Sequence, residues 1–459
     1  MRLEDTMRQK SRQLELLPRN RGEAHGPRQS GEASTASKGT ERSGSDDPLT
    51  MERVVERRNA IAALKRVRNN KGSPGIDGVT VEQLPGYLKE HWERLRGELL
   101  AGTYQPLPVS RVEIPKKGGG TRMLGIPCAL DRFIQQCVLQ VLQPQLDPTF
   151  SEHSYGFRPG RSAHDAVCAA QRYIQEGRYY VVDVDLEKFF DRVNHDVLMG
   201  KLAARIADKR MLGLCRRYLE AGIMADGVVV GRQEGTPQGG PLSPILANVL
   251  LDEVDKELEK RGHAFCRYAD DSNVYVRSQR AAQDVMETLR RLYDKLRLRI
   301  NEAKSAIAHP WERTFLGYTF FVTKKREIRR GISDKALAAM KDRVRQITRR
   351  TGGRSLTAVI EELRRYLPGW RNYFQLQQAG SRFRELDGWI RHRLRMLQLK
   401  HWKNAATVNK ELRARGLTEA EAARVAGNLK SWWRNSAMLL NKALPPKWFD
   451  AQGLPRLAT

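Results

Sequence analysis

The sequence contains no run of about 18 apolar residues, which excludes a membrane-spanning helix. It also lacks an apolar N-terminal core segment, which argues against a secretory leader. Cysteine is scarce. Cys128, Cys137, Cys168, Cys215 and Cys266 are odd in number and never in C-x-x-C spacing. A disulfide scaffold and a Cys-rich zinc site are therefore disfavoured, and a reducing cytosol is the expected compartment. Acidic charge is also short, with 53 Asp+Glu against 81 Lys+Arg, for a net charge of +28 over 459 residues. What is present is core-forming material: 40% hydrophobic residues, with 12 Phe, 13 Tyr and 8 Trp, exclude a wholly disordered chain. At roughly 100–200 residues per domain, two to four domains are expected.

The basic excess implies a polyanionic partner, because neutralising phosphates releases counterions and binds nucleic acid in a salt-dependent way. It is unevenly spread. Residues 331–459 carry 26 Lys+Arg against 10 Asp+Glu, and six of the eight Trp. Basic charge interleaved with flat aromatics suits nucleic acid, although helical cores also bury Trp. Residues 1–48 are polar, poor in apolar residues and nearly balanced in charge, and are expected to form a disordered tail. Two strand-like runs, VSRVEIP and TRMLGIP, flank Lys116-Lys117-Gly118-Gly119-Gly120 and predict a β-hairpin with a basic tip. Helices are expected around 131–142, 163–175 and 245–261, the last with Leu246, Val249, Leu250, Val254 and Leu258 on one face and Gly262 as its stop. Strands are expected at 179–186 and within 265–276. Beyond 331 the pattern is helical: Ser333 and Ser355 start helices, Pro368 ends the second, and Thr418 with Glu421 caps the last long one. The fold class that follows is α+β with an all-helical basic tail.

Two segments carry acidic chemistry. In YYVVDVDLEKFFD (179–191) the strand period puts Asp183 and Asp185 on one face. Carboxylates at the end of an apolar strand need a cation or hydrogen bonds to compensate their desolvation. In Tyr268-Ala269-Asp270-Asp271 a tight turn between strands would present adjacent carboxylates at its tip. Asp is also an ordinary turn residue, so the second segment alone decides little. Together the two suit hard divalent cations, which take oxygen ligands and can clamp both oxygens of an in-line phosphoryl displacement. The loop Gly235-Thr236-Pro237-Gln238-Gly239-Gly240-Pro241-Leu242-Ser243-Pro244 would let backbone approach a ligand closely, though any tight connection reads similarly.

Taken in order, these segments resemble a reverse transcriptase of the group II intron type, centred on the YADD tetrapeptide at 268–271. PKKGGGTRMLGIP (115–127), SYGFRPGRSAHDA (154–166), DVDLEKFFDRVNH (183–195), GTPQGGPLSP (235–244), NEAKS (301–305) and FLGYTF (315–320) extend the match. The resemblance spans roughly 51–459. It implies a right-hand polymerase: N-terminal extension and fingers over 49–108, fingers and palm over 109–330, a helical thumb and maturase domain over 331–400, and a basic helical DNA-binding segment over 401–459.

The resemblance also implies residue roles. Asp185, Asp270 and Asp271 would bind two Mg²⁺ ions, with Mn²⁺ as a substitute, and Asp183 would support them. Arg122 with Lys116 or Lys117 would hold the triphosphate. Phe190 would exclude a ribose 2′-OH, Phe189 being the core residue. Gln238 would contact the nucleotide sugar, and Lys304 would protonate the leaving pyrophosphate. Tyr268, Ala269, Arg158 and Arg161 would face primer and template, and Gly317 and Tyr318 would grip the primer. Trp370, Arg371, Arg391, Arg393, Arg395, Trp432 and Arg434 would contact RNA or DNA.

Many relatives end in a His-Asn-His endonuclease with paired cysteines. The sequence has no such cysteine pairs, which places it nearer the endonuclease-lacking class C proteins. The implied partners are its parent group II intron RNA, an RNA template, a DNA primer or target and dNTPs, in a bacterial cytosol or nucleoid and with no membrane role. The implied function is RNA-directed DNA synthesis together with splicing assistance and target-primed reverse transcription. Three alternatives stand beside it. One is a domesticated reverse transcriptase in phage defence or diversification, and another is a polymerase-inactive splicing chaperone. The third, an RNA-dependent RNA polymerase, is disfavoured by Phe190 and Ala269.

Overall fold

The computed structural model describes residues 49–115, 121–225, 228–230, 234–236, 239–428, 432–437 and 439–458. The expected tail 1–48 and the hairpin tip at Lys116 and Lys117 lie outside them. The chain forms two compact units, the first running to Ala308 and the second comprising His309–Thr459 with the short segment Ile174–Glu176. The division falls earlier than the sequence boundary at 330, because the strands of 314–332 pack among the helices that follow them. Among the described residues no helix is long and apolar enough to cross a membrane.

The first unit mixes helices with two sheets. Strands β1 (Val109–Pro115) and β2 (Thr121–Ile126) form the expected antiparallel hairpin, in register from Ser110↔Ile126 to Pro115↔Thr121. Strand β3 (Tyr180–Val184) belongs to the second sheet. Short strands β4 (Ile223–Ala225) and β5 (Val228–Val230) extend the first, with β4 parallel to β1 through Val109↔Ile223. Strands β6 (Ala264–Tyr268), β7 (Asp271–Val276) and β8 (Ala306–Ala308) complete an antiparallel sheet of order β6-β7-β3-β8. Val181, Val182 and Val184 of β3 and all of β6 are buried. A strand covered on both faces reads as a continuous apolar run, and a charged residue inside it stands out. The helix Ser243–Lys260 buries the predicted stripe Leu246, Val249, Leu250, Val254 and Leu258 in the core. Gly262 follows at φ +71°, the left-handed stop a helix end needs.

The second unit carries a three-stranded sheet, β9 (Thr314–Phe315), β10 (Tyr318–Val322) and β11 (Ile328–Ile332), in the order β11-β10-β9. Ser333 and Ser355 cap the helices Asp334–Ile347 and Leu356–Tyr373, their side chains accepting from Ala336 and Ala358 N–H groups. Two expectations are corrected here. Pro368 does not end its helix but lies inside it, on an exposed position. Proline removes one backbone bond, and the burial of Leu363 and Leu367 before it and Phe374 after it outweighs that loss. The Thr418–Glu421 capping box is present, but it opens the short helix Glu419–Ala426, and further helical turns follow, including Pro446–Ala451.

Candidate active site

The turn joining β6 to β7 consists of Ala269 and Asp270, with Tyr268 paired to Asp271 across it. So short a connection requires positive φ, which Ala269 adopts at 58°. Asp271 opens β7 at the solvent edge, while the rest of that strand is buried. β3 lies beside β7, with Asp183 opposite Asn273, and Asp185 follows the end of β3. The Asn273 amide, with its nitrogen turned inward, donates to Asp183 Oδ1 at 2.9 Å.

Asp185 is held by the segment Asn301–Ser305. Its N–H donates to Ser305 Oγ at 3.0 Å, its carbonyl accepts from the Asn301 N–H at 2.8 Å, and Lys304 Nζ donates to Oδ2 at 2.7 Å. That hydrogen bond to Asp185 is the main reason the Lys304 ammonium is held above its ordinary pKa. Surrounding protein, then the charges of Asp270, Asp183 and Asp185, push the Asp271 carboxyl up to about 7, with Lys304 opposing. Because the side chain opens to solvent, the neighbouring anions are the cause that carries meaning: four carboxylates share a field with one lysine.

Hard oxygen donors crowded in this way suit a divalent cation, so the residues fit a metal. Among the described residues, however, no three acidic, His or Cys side chains are already gathered as a cage. The Lys304 bond engages one Asp185 oxygen.

Phe190 lies in a short turn, Phe189–Asp191, entered through Lys188 at φ 47°. Phe189 is buried and Phe190 half-buried, their rings edge to face at 5.0 Å, as expected. The glycine loop folds back on this turn: Thr236 N–H donates to the Phe190 carbonyl at 2.6 Å, and Gly235 N–H to Val193 at 2.7 Å. Gly235 has φ +89°, and a Cβ there would meet the Asp191 carbonyl at 2.8 Å, so only glycine permits the approach. Tyr268 and Ala269 are nearly buried, whereas Phe157, at φ 61°, is exposed with its ring 6.4 Å from Tyr268. Arg122 pairs with Ile114 in the β1–β2 hairpin. Gln238, like Lys116 and Lys117, lies outside the described residues, as does the Trp432 side chain.

Several expected nucleic-acid contacts are turned inward instead. Arg158 is buried; Nε donates to Asp147 Oδ1 at 3.0 Å, and its remaining nitrogens serve the Asp147, Ser151 and Ser154 carbonyls. Its donors are spent on the fold. Arg161 is half-buried, its guanidinium 5.9 Å from the Tyr155 ring. Tyr318 is fully buried and its hydroxyl donates to the Tyr373 carbonyl, while Gly317, at φ +79°, packs against Phe374, so the Tyr318 side chain ties this segment to the helix Leu356–Tyr373. Arg395 is buried, donating to the Leu444 carbonyl at 3.0 Å with Phe449 beneath it. Arg393 donates to Thr348 Oγ1 at 2.6 Å and lies over Trp389. Arg391 is half-buried, as are Arg371 and Trp370, whose ring packs on Phe374 at 4.9 Å. Alternate positions 391, 393 and 395 cannot share one helical face, so a common phosphate-facing row fails on periodicity. Trp433 and Arg434 are exposed, and Trp433 stacks on His392 at 3.6 Å.

The sequence placed Asn301 and Ser305 in the NEAKS segment but gave no sign of their backbone hold on Asp185. It also missed Arg267, a charged residue inside the apolar run AFCRY.

Residues 114–320 match the family described as reverse transcriptase (RNA-dependent DNA polymerase), which gives the class that this sheet and its carboxylate turn define. Residues 337–416 match the maturase-specific domain of group II introns. Protein YkfC of Escherichia coli (strain K12) is 34% identical over 300 residues, 56% of this chain and 78% of YkfC. The group II intron-encoded protein LtrA of Lactococcus lactis subsp. cremoris is 36% identical over 195 residues, 42% of this chain and 32% of LtrA. The chain belongs to the group II intron family of reverse transcriptases with a maturase domain. A chain of the partial Cas6-RT-Cas1–Cas2 complex is 25% identical over 55% of this chain and 43% of its own, with a TM-score of 0.35, too low to bear on the fold.

Proposed function

We propose that this protein is an RNA-directed DNA polymerase that also binds a group II intron RNA as a maturase, and that Asp185, Asp270 and Asp271 bind its two Mg²⁺ ions. The observation carrying this reading is the pairing of β3 with β7, which sets Asp183 and Asp185 at the end of the first strand beside the Ala269–Asp270 turn and Asp271. Bound Mg²⁺, or Mn²⁺ in its place, would polarise the reacting phosphate and stabilise charge on the attacking and leaving oxygens. Asp183, held by Asn273, supports the strand end. Lys304, hydrogen-bonded to Asp185, is placed to donate a proton to the departing pyrophosphate. Phe190 closes the sugar side of the nucleotide site, and Arg122 with Lys116 or Lys117 takes the triphosphate by charge and hydrogen bonding. Gln238 contacts the sugar. Fingers and palm then lie within 109–330, and the helices from 331 onward act as thumb and maturase, with the basic segment from 401 as a DNA-binding element. Template RNA, primer or target DNA and dNTPs are the remaining partners.

The test is primer extension on poly(rA)/oligo(dT) with Mg²⁺ and either dTTP or UTP, comparing wild type with Asp270→Ala. Incorporation of dTTP alone is expected, with a loss on the order of a thousandfold in the variant and unchanged RNA binding. Retained synthesis by Asp270→Ala would sink the metal assignment. No synthesis by folded wild type would shift the reading to a splicing chaperone.

A further inference from the structure

We infer that Arg267 is a positioning residue for the polymerase reaction: it fixes the Tyr268–Asp271 turn from within and so sets the metal-binding aim of Asp270 and Asp271. This rests on the metal assignment proposed above. Arg267 is among the largest fully buried side chains of the chain. Its guanidinium is used completely. Nε donates to Asp255 Oδ1 at 2.8 Å and Nη2 to Asp255 Oδ2 at 2.6 Å; Nη1 donates to Asn248 Oδ1 at 2.9 Å and to the Ala269 carbonyl at 3.0 Å; Nη2 also reaches Ser154 Oγ at 2.8 Å.

An ion pair that only stabilised the core would need Asp255 and nothing more. The bond to Ala269 is different in kind, because it closes the turn two residues ahead of the arginine. Ala269 sits at φ 58°, a conformation that a non-glycine residue leaves unless its surroundings hold it there. The neighbouring segment 153–156 helps to hold it. The segment at Ser154 runs beside Arg267: the Arg267 N–H donates to the His153 carbonyl at 2.9 Å, and the Tyr155 N–H to the Arg267 carbonyl at 2.8 Å. That segment brings Gly156 so close that a Cβ there would collide with the Ala269 nitrogen. Asn248 ties the two sides, its Nδ2 donating to the Gly156 carbonyl at 3.0 Å while its Oδ1 accepts from Arg267. One planar fork thus joins the helix Ser243–Lys260, the glycine segment and the carboxylate turn. Lysine has the charge but not the fork, and cannot reach all of these acceptors in one plane.

The test compares wild type, Arg267→Lys, Asn248→Ala, Asp270→Asn and the control Tyr104→Phe. Tyr104→Phe removes a hydrogen bond to buried Asp131 at 2.9 Å, away from the turn. Two quantities are read: Mn²⁺ bound to the protein–primer–template–dTTP complex by electron paramagnetic resonance, and kcat and KM for dTTP. Supporting-residue changes near metals typically weaken affinity or activity about 10–100-fold, so Arg267→Lys is expected to lose about tenfold in both Mn²⁺ affinity and kcat, with KM for dTTP little changed. Asn248→Ala is expected to move the same way by a smaller factor, and Tyr104→Phe to leave both unchanged. Folded Arg267→Lys with wild-type Mn²⁺ affinity and kcat would overturn the inference. Should Arg267→Lys not fold, Asn248→Ala decides on the same two readouts. Polymerisation retained by Asp270→Asn would overturn the metal assignment itself, whereas a dead Asp270→Asn beside an unaffected Arg267→Lys would overturn only the role of Arg267.

Discussion

Arg267 in the first unit and Arg395 in the second are both buried, and they are held in opposite ways. Burial works to lower the pKa of Arg267, but the Asp255 charge and hydrogen bonds prevail and hold it above its ordinary value. Arg395 has no carboxylate partner among its described bonds. Burial, then repulsion from Arg391, brings it down to about 10, and a carbonyl and an aromatic face are its compensation. The difference teaches that a buried charge has consequences set by its counter-ion. Where one is present, the pair is a fixed joint that other groups can be hung from. Where none is present, the long side chain serves mainly as packing with a polar end.

That contrast can be broken most forcefully by replacing each arginine with methionine. Arg267→Met strands the buried Asp255 carboxylate and is expected to cost about 3–5 kcal/mol. Arg395→Met keeps the packing over Phe449 and loses only the bond to Leu444, about 1–2 kcal/mol. Equal losses in chemical denaturation of the two variants would remove the distinction.

Asp131 extends the comparison to an acid in the first unit that is buried with no cation among its described partners. It accepts from Tyr104 Oη at 2.9 Å and the Leu107 N–H at 3.2 Å, yet burial pushes its carboxyl from 3.8 up to about 6. Folded Asp131 binds its proton more tightly than unfolded Asp131. Its stabilisation is therefore complete below pH 3.8 and is lost as pH rises through about 6, a change of about 3 kcal/mol. Melting temperature followed from pH 4 to 7 is expected to lose this component in Asp131→Asn. A slope unchanged by the substitution would show that the neutral donors suffice.

The smallest expected effect separates inward from outward arginines of the second unit. Arg434 is exposed, so Arg434→Gln is expected to lower the salt dependence of RNA binding by about one counterion without changing stability. Binding of the Arg395→Met protein is expected to keep the wild-type salt slope. The reverse pattern would place Arg395 on the nucleic acid.

The carboxylates were legible because their positions depend on local rules. A strand alternates its faces, and a two-residue turn exposes its tip, so spacing placed Asp183 and Asp185 on one strand and Asp270 at a turn. Asp271, however, opens β7 rather than sharing the tip, and the meeting of the two segments rests on the β3–β7 pairing. The β1–β2 hairpin and the Ser333, Ser355 and Thr418 caps were legible for the same reason. Strands β4 and β5 were not, being three residues each and held by pairing with distant β1. Pro368 misled because the helix around it draws its stability from buried neighbours rather than from one backbone bond.

By itself, the sequence determined the acidic turn chemistry, the order of motifs that marks the family, and the placement of excess positive charge toward its last third. Those properties are carried by residue identity and short spacing. Only the tertiary structure decided which cations stay exposed and which are spent inside. Arg393 and Arg395 are answered by a threonine hydroxyl and a backbone carbonyl more than forty residues away, Arg158 by the Asp147 carboxylate and nearby carbonyls, and Arg267 by an aspartate one helix away. A carbonyl is the same at every residue, so no spacing pattern can announce in advance which one an arginine will find.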